Sequence, residues 1–175
     1  LPHVKRAFAG AKDDAARLHH AQVLSILGDP AGLDVILTAV EAAPGLDKGW
    51  HYVGMGQFGS SMSPLDTWVY ALGRIGDRKA TPAIVAKLKL LQAGTEFSHF
   101  RALAWALDKI GDPAAAPALA EVIARPGIRG KAMPAIDAVL GEAKGMNWTS
   151  TGERAEGLRE LFLARALFRC GDHEG

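Results

Sequence analysis

ALGRIGDRKATPAI (residues 71–84) and ALDKIGDPAAAPAL (residues 106–119) are one pattern written twice. Two looser copies, SILGDPAGLDVIL (residues 25–37) and FRCGDHEG (residues 168–175), share its centre. The chain thus carries four anchors: Gly28-Asp29, Gly76-Asp77, Gly111-Asp112 and Gly171-Asp172. Four residues before each glycine stands Leu24, Leu72, Leu107 or Leu167. One before stands Leu27, Ile75, Ile110 or Cys170, and eight before stands His20, Trp68, Leu103 or Leu163. Offsets of one, four and eight share one helical stripe, so each anchor closes an amphipathic helix. Eight and twelve residues after the first three glycines come Ile36 and Val40, Ile84 and Leu88, Leu119 and Ile123, the stripe of a second helix. Pro82 and Pro117 stand six past their glycines, near that helix's first turn, where proline is tolerated. Glycine supplies the left-handed residue that ends the first helix. Aspartate offers a carboxylate to cap the next.

A single helix pair cannot bury both stripes, so the pairs must stack into an α-solenoid. The wording A-L-x-x-I-G-D-x-x-A-x-P-x-L/I resembles the short HEAT-like repeats named after phycobilisome lyases. The spacing from Gly76 to Gly111 is 35 residues, near the tetratricopeptide period, but the Trp-Leu-Gly-Tyr signature of that repeat is missing. The expectation is one all-α domain over residues 1–175, a right-handed superhelical stack of HEAT-like pairs around Gly28, Gly76 and Gly111. The last pair, at Gly171, lacks its second helix, and LPHVKRAFAG at the start reads as a helix entered partway, so a piece of a longer protein is expected. Two spacings are stretched, which places insertions at residues 44–64 and 125–153. The second includes KAMPAIDAVLGEAKG, expected to add a short helix. Solenoids display such insertions from one face, often the binding face.

Hydrophobic residues make up 49% of the chain, enough for a sizeable core, and formal net charge is +1, no argument for nucleic acid. One cysteine, Cys170, excludes an internal disulfide framework or a multi-cysteine metal site. No apolar run reaches the roughly 18 residues of a membrane span. The compartment stays open.

The first insertion, GWHYVGMGQFGSSMSPLDTW (residues 49–68), contains Gly54, Gly56 and Gly59 in a G-x-G-x-x-G spacing. A dinucleotide site also needs an apolar strand before the glycines and a helix opening at the last one. GLDKGWHYV is no clean strand, and Pro64 interrupts any immediate helix. The glycines are read instead as letting a long loop fold tightly. That loop concentrates aromatics in a chain with only 7% of them, which suits an interface. The expected partner-binding residues are Trp50, His51, Tyr52, Met55, Gln57, Phe58, Ser60 and Ser61. Trp50 and Tyr52 are expected to pack inward, with Met55 to Ser61 as an accessible tip. Asp66 is expected to cap the following helix.

The segment GWHYVGMGQFGSSMSPLDTWVYALGRIGD (residues 49–77) resembles the HEAT-like C-terminal region of bacterial FAD-dependent oxidoreductases. In that family a flavin-binding domain precedes the repeats. The resemblance implies FAD in a neighbouring domain, and no catalytic, cofactor-binding or metal residue in this region. The expected function is a non-catalytic interaction module forming the C-terminal region of an FAD-dependent oxidoreductase, its partner a protein or a neighbouring domain. A bilin-lyase-like protein holding an open-chain tetrapyrrole is the enzyme-class alternative, and a free-standing scaffold is the third. An exposed groove lined by Trp, Tyr and His would favour the tetrapyrrole; a groove filled by the insertion would oppose it.

Among other candidates, adjacent His19 and His20 point to different sides of a helix. His20 is read as a core-edge residue. His99 and Arg101 are read as helix-surface polarity that could face the insertion. Arg74, Lys109 and Arg169 form a column two before the glycines, read as favourable charge at helix C-termini. Cys170 is read as a core thiol. We expect the chain to bind neither NAD nor FAD in a calorimetric titration. Micromolar binding that is lost on Gly56→Val would restore the dinucleotide reading.

Overall fold

The computed structural model describes residues 1–51, 62–132 and 151–173. Those residues form eight α-helices and no strand: α1 (Pro2–Gly10), α2 (Asp14–Ile26), α3 (Leu33–Ala42), α4 (Pro64–Ile75), α5 (Thr81–Leu88), α6 (Phe97–Ile110), α7 (Ala116–Ile123) and α8 (Thr151–Arg169). The fold is a HEAT-like α-solenoid. Helices α2, α4, α6 and α8, each ending at an anchor glycine, pack side by side as one layer. Helices α3, α5 and α7 form the second layer, and α1 packs on α2.

Every anchor glycine is left-handed, with φ of +76° at Gly28, +72° at Gly76, +61° at Gly111 and +95° at Gly171. At Gly76 and Gly111 the glycine N–H donates back to the carbonyls of Leu72 and Leu107. The aspartates cap, but not where expected. Asp29, Asp77 and Asp112 accept from the N–H two residues on, at 3.0, 2.9 and 3.1 Å. Those N–H groups belong to short 3-10 turns, Pro30–Gly32, Arg78–Ala80 and Pro113–Ala115, which lead into the second helices. The tighter turn fits because a carboxylate-capped N–H and a buried small residue (Gly32, Ala80 or Ala115) bring the chain round before α-geometry starts. Asp29 also receives Lys5 of α1 at 2.5 Å, so the first turn is bound to the N-terminal helix.

Burial follows the stripe closely. Leu24, Leu72, Leu107 and Leu167 are all buried, as are Ile36, Ile84, Leu119, Val40 and Leu88. The outer offsets are less uniform. Leu27 is exposed, Ile75, Ile123, His20 and Trp68 are half-buried, while Leu103, Leu163, Ile110 and Cys170 are buried. The position four before glycine is buried in every repeat, whereas the position one before is buried only at Ile110 and Cys170. Pro82 and Pro117 sit in the first turns of α5 and α7, as their spacing predicts.

Leu107→Ala should cost about 2–5 kcal/mol through the cavity it leaves. Asp77→Ala and Asp112→Ala should each cost about 0.5–2 kcal/mol through loss of a cap. Denaturant midpoints on the three variants check the ranking; aspartate changes that cost more than the leucine change would overturn the assignment of turn and core.

Candidate functional site

Two edges follow from this topology. The Gly-Asp turns occupy one. The connections from a second-layer helix to the next first-layer helix occupy the other, where α4, α6 and α8 begin. Between α5 and α6 that connection is short, residues 89–96. Both insertions replace the same kind of connection, α3 to α4 and α7 to α8, so both spring from one edge.

The stem of the first insertion, residues 44–51, is tied to the starts of α4 and α6. Asp47 Oδ2 accepts from the Leu65 N–H at 3.1 Å, in the first turn of α4. The Asp47 carbonyl accepts from His99 Nε2 at 2.9 Å. Ser98 N–H donates to the Trp50 carbonyl at 3.0 Å, and Trp50 N–H donates to Ser98 Oγ at 3.1 Å. Glu96 gives α6 no side-chain cap, so the Trp50 carbonyl serves one of its otherwise unsatisfied N–H groups. Gly49 makes the approach possible: a Cβ there would stand 2.5 Å from Ser98 Oγ and 2.7 Å from His99 Nε2. Lys87, buried on α5, donates to the Ala43 carbonyl at the end of α3 and secures the other end of the stem.

His99 is the hub. Its side chain is fully buried, and Nδ1 meets Asp66 Oδ1 at 2.8 Å. A backbone carbonyl only accepts, so Nε2 carries a hydrogen toward Asp47. A neutral ring would then turn a bare Nδ1 toward a carboxylate oxygen. The contact therefore holds one further proton, and the favourable form is imidazolium against carboxylate. A carboxylate oxygen of Asp47 and one of Glu96 lie 4.0 Å from Nε2 and add attraction. Burial pulls the imidazole pKa down, but the Asp66 hydrogen bond and charge with the Asp47 carbonyl outweigh it, and the pKa is held above the ordinary histidine value.

The expectation of helix-surface polarity at His99 is therefore corrected: the ring is buried, and it faces the insertion. Arg101, on the same helix, is exposed. The expectation for Asp66 is corrected as well. Ser63 is the N-cap of α4, accepting from the Asp66 N–H at 3.0 Å, which frees the Asp66 carboxylate for His99. A sequence signal existed, since Ser63-Pro64 is itself a cap-then-proline start.

The second stem meets the same edge. Glu160 on α8 accepts from Gly130 N–H at 2.8 Å and from Lys131 and Ala132 N–H at 2.5 Å each. Burial pushes its carboxyl up, but these three donors outweigh it and the pKa is lowered. Aromatic contacts bridge the two stems. Trp50 packs on Phe97 with centroids 5.7 Å apart, and Phe97 packs on Phe162 of α8 at 6.0 Å. Arg159 lies over the Phe100 ring at 5.1 Å and donates to the Ala93 carbonyl at 2.7 Å.

Trp50 is half-buried and packs inward as expected, while His51 is exposed. Tyr52, Met55, Gln57, Phe58, Ser60 and Ser61 lie outside the described residues, as do Gly54, Gly56 and Gly59 and most of residues 131–145. The described flanks of the glycine run are a coil before it and a helix that opens only at Pro64. Beside the first stem lies an open apolar groove of about 410 Å³, walled by Ala39, Ala42, Pro44, Leu46, Leu65 and Trp68 with Asp47 at its rim. It contains a tryptophan but neither tyrosine nor histidine among the described residues. Among the described residues no group of three or more His, Cys, Asp or Glu is arranged to hold a metal ion, and no helix is long and apolar enough to cross a membrane. Arg74, Lys109 and Arg169 do sit in the last turns of their helices. Cys170 is a buried free thiol whose pKa burial pushes up.

Comparison with known proteins agrees on the architecture. Residues 101–125 match the family described as PBS lyase HEAT-like repeat. Among solved structures, "the complex of CpcE and CpcF of phycocyanin lyase" from Nostoc sp. PCC7120 is similar, with a TM-score of 0.51 at 19% sequence identity. That likeness covers 96% of this chain, which spans 65% of that one, and it concerns the fold. No curated protein matches the chain.

His99 makes stability depend on pH. The folded state holds the proton more tightly than the unfolded chain, whose histidine titrates near pH ~6.5. The stabilisation is full below that value and is lost as pH rises through the higher folded pKa. Urea midpoints should therefore fall from about pH 6 to about pH 9, and His99→Gln should flatten that fall while lowering the pH 6 midpoint. An unchanged slope in the variant would assign the dependence to another group.

Proposed function

We propose that this chain is a non-catalytic HEAT-like interaction module that engages another protein, or a neighbouring domain of its own chain, along the edge where both insertions begin. One observation carries the reading: the stem at residues 44–51 is locked to α4 and α6 by Asp47, Ser98 and His99. A loop with no role beyond covering the core has no need of a buried, protonated anchor at its base. Such an anchor fixes where the chain leaves the helices at the exposed His51, ahead of the expected partner residues Tyr52, Met55, Gln57, Phe58, Ser60 and Ser61. The similar solved structure is itself a complex of two proteins, which supports a protein partner.

A second reading has one observation in its favour. The groove beside Trp68 is open and apolar, and the described stem does not fill it. An open-chain tetrapyrrole, as in a bilin-lyase-like protein, would place its rings there, although Asp47 at the rim opposes its carboxylates. The resemblance to FAD-dependent oxidoreductases rests mainly on residues 49–77, a stretch only partly described, and it draws no support from the matching family or the similar structure. FAD, if it serves the whole protein, belongs to another domain.

Size-exclusion and visible absorbance on the full-length protein purified from its own cells test all three readings. The module reading expects a stoichiometric protein partner, or docking of a neighbouring domain, that is lost in His51→Ala/Phe58→Ala and leaves no visible chromophore. Tetrapyrrole absorbance lost in Trp68→Ala would favour the second reading over the first. Neither partner nor docked domain would overturn the module.

A further inference from the structure

The exposed face of the first helix layer carries a second feature, separate from the insertion edge. Positions two and six before the anchor glycines line up across α4, α6 and α8. Tyr70 and Trp105 meet there with ring centroids 4.9 Å apart. The indole lies down across α4 because residue 73 is glycine: a Cβ there would stand 2.8 Å from Trp105 Cζ3. Lys109 stands 5.6 Å over the indole. On α8, Arg165 and Arg169 reach Asp108 at 3.0 and 3.7 Å, yet their side chains stay 62% and 63% exposed. Arg74 and Arg101 are exposed, with no carboxylate within ion-pair range among the described residues. Five cations thus share this face with two aromatic rings, and the carboxylate among them, Asp108, which Lys109 also approaches at 3.9 Å, is buried.

Helix-end charge accounts for the position of Arg74, Lys109 and Arg169, but not for Arg101 or Arg165, nor for the paired rings. We propose that this face docks an acidic protein segment, an amphipathic helix whose carboxylates pair with Arg74, Arg101 and Lys109 while an apolar side chain rests on Trp105. Arginine and aromatic side chains together are the composition of protein-binding hot spots. Exposed guanidinium groups match carboxylates two bonds at a time. A nucleic acid suits the face less well. Asp77, Asp112 and Asp172 rim one end of it, beside the negative ends of the helix dipoles, which breaks the field a continuous polyphosphate needs. The half-buried rings also offer less area than a base-stacking platform. This inference rests on the interaction-module reading and supplies a partner chemistry for it.

The probe is a synthetic amphipathic helical peptide with glutamates at i, i+4 spacing, alongside its Glu→Gln counterpart and a single-stranded oligonucleotide. Backbone amide shifts on the labelled chain should concentrate at Arg74, Arg101, Trp105 and Lys109 with the acidic peptide. Arg101→Glu/Lys109→Glu should leave the chain folded, lowering the melt only by the loss of the Lys109 contacts with Trp105 and Asp108 and of its helix-end charge, and should weaken the peptide by about tenfold or more. Equal binding of the Gln peptide, tighter binding of the oligonucleotide, or shifts confined to the insertion edge would overturn the proposal. In the full-length protein, a partner kept by Arg101→Glu/Lys109→Glu but released by His51→Ala/Phe58→Ala overturns this surface and leaves the module standing. Release by the charge reversal supports it.

Discussion

Among the described residues, everything depends on reversing direction within a few residues, three times. Two apolar stripes face each other only if the turn between their helices is short and always bends the same way. A left-handed glycine ends the first helix, and the following aspartate closes a single 3-10 turn before the second begins. An L-residue with a side chain would meet a steric penalty of roughly 1–2 kcal/mol at that glycine. The cost would recur at each pair, and the leucine four before it would lose its register with the opposite layer. The buried leucine column and the stacking of neighbouring pairs are consequences of that turn.

The opposite edge obeys a different rule. There the connections vary in length, and order is supplied by polar groups instead of turn geometry. Asp47 uses its carboxylate on α4 and its carbonyl on His99, so one residue joins the starts of two helices. Glu160, within α8, holds the second stem through three backbone donors. Phe97 lies between Trp50 and Phe162 and couples the two stems through ring contacts. The proton on His99 helps hold the stem against α4 and α6, which ties the stability of the edge to pH.

The two surfaces differ in chemistry. The insertion edge is held by hydrogen bonds and ring contacts around the buried His99–Asp66 pair. The first-layer face is cationic and aromatic, with its charges mostly exposed. A solenoid can offer both because each helix pair contacts only its neighbours, leaving the turn edge, the connection edge and the outer face to vary independently.

The repeat, its period and its inward leucines were legible from the residues alone, because a glycine turn and a 3.6-residue stripe are local physics. The same locality placed Pro82 and Pro117 in first turns and Cys170 in the core. The role of His99 was not legible. Asp66 and Asp47 lie 33 and 52 residues away in the chain, and a lone histidine near a helix start has the same local pattern whether it faces water or a carboxylate. Asp66 was misread for a related reason: either it or Ser63 could cap α4, and only the partner across the layer decides which carboxylate is needed elsewhere. Trp105 is half-buried on Gly73 for the same cause, since the missing side chain matters only once α6 lies against α4. The sequence by itself determined the turns and the layers. The tertiary structure alone decided which polar groups meet, because burial and pairing between distant residues arise only after the layers have stacked.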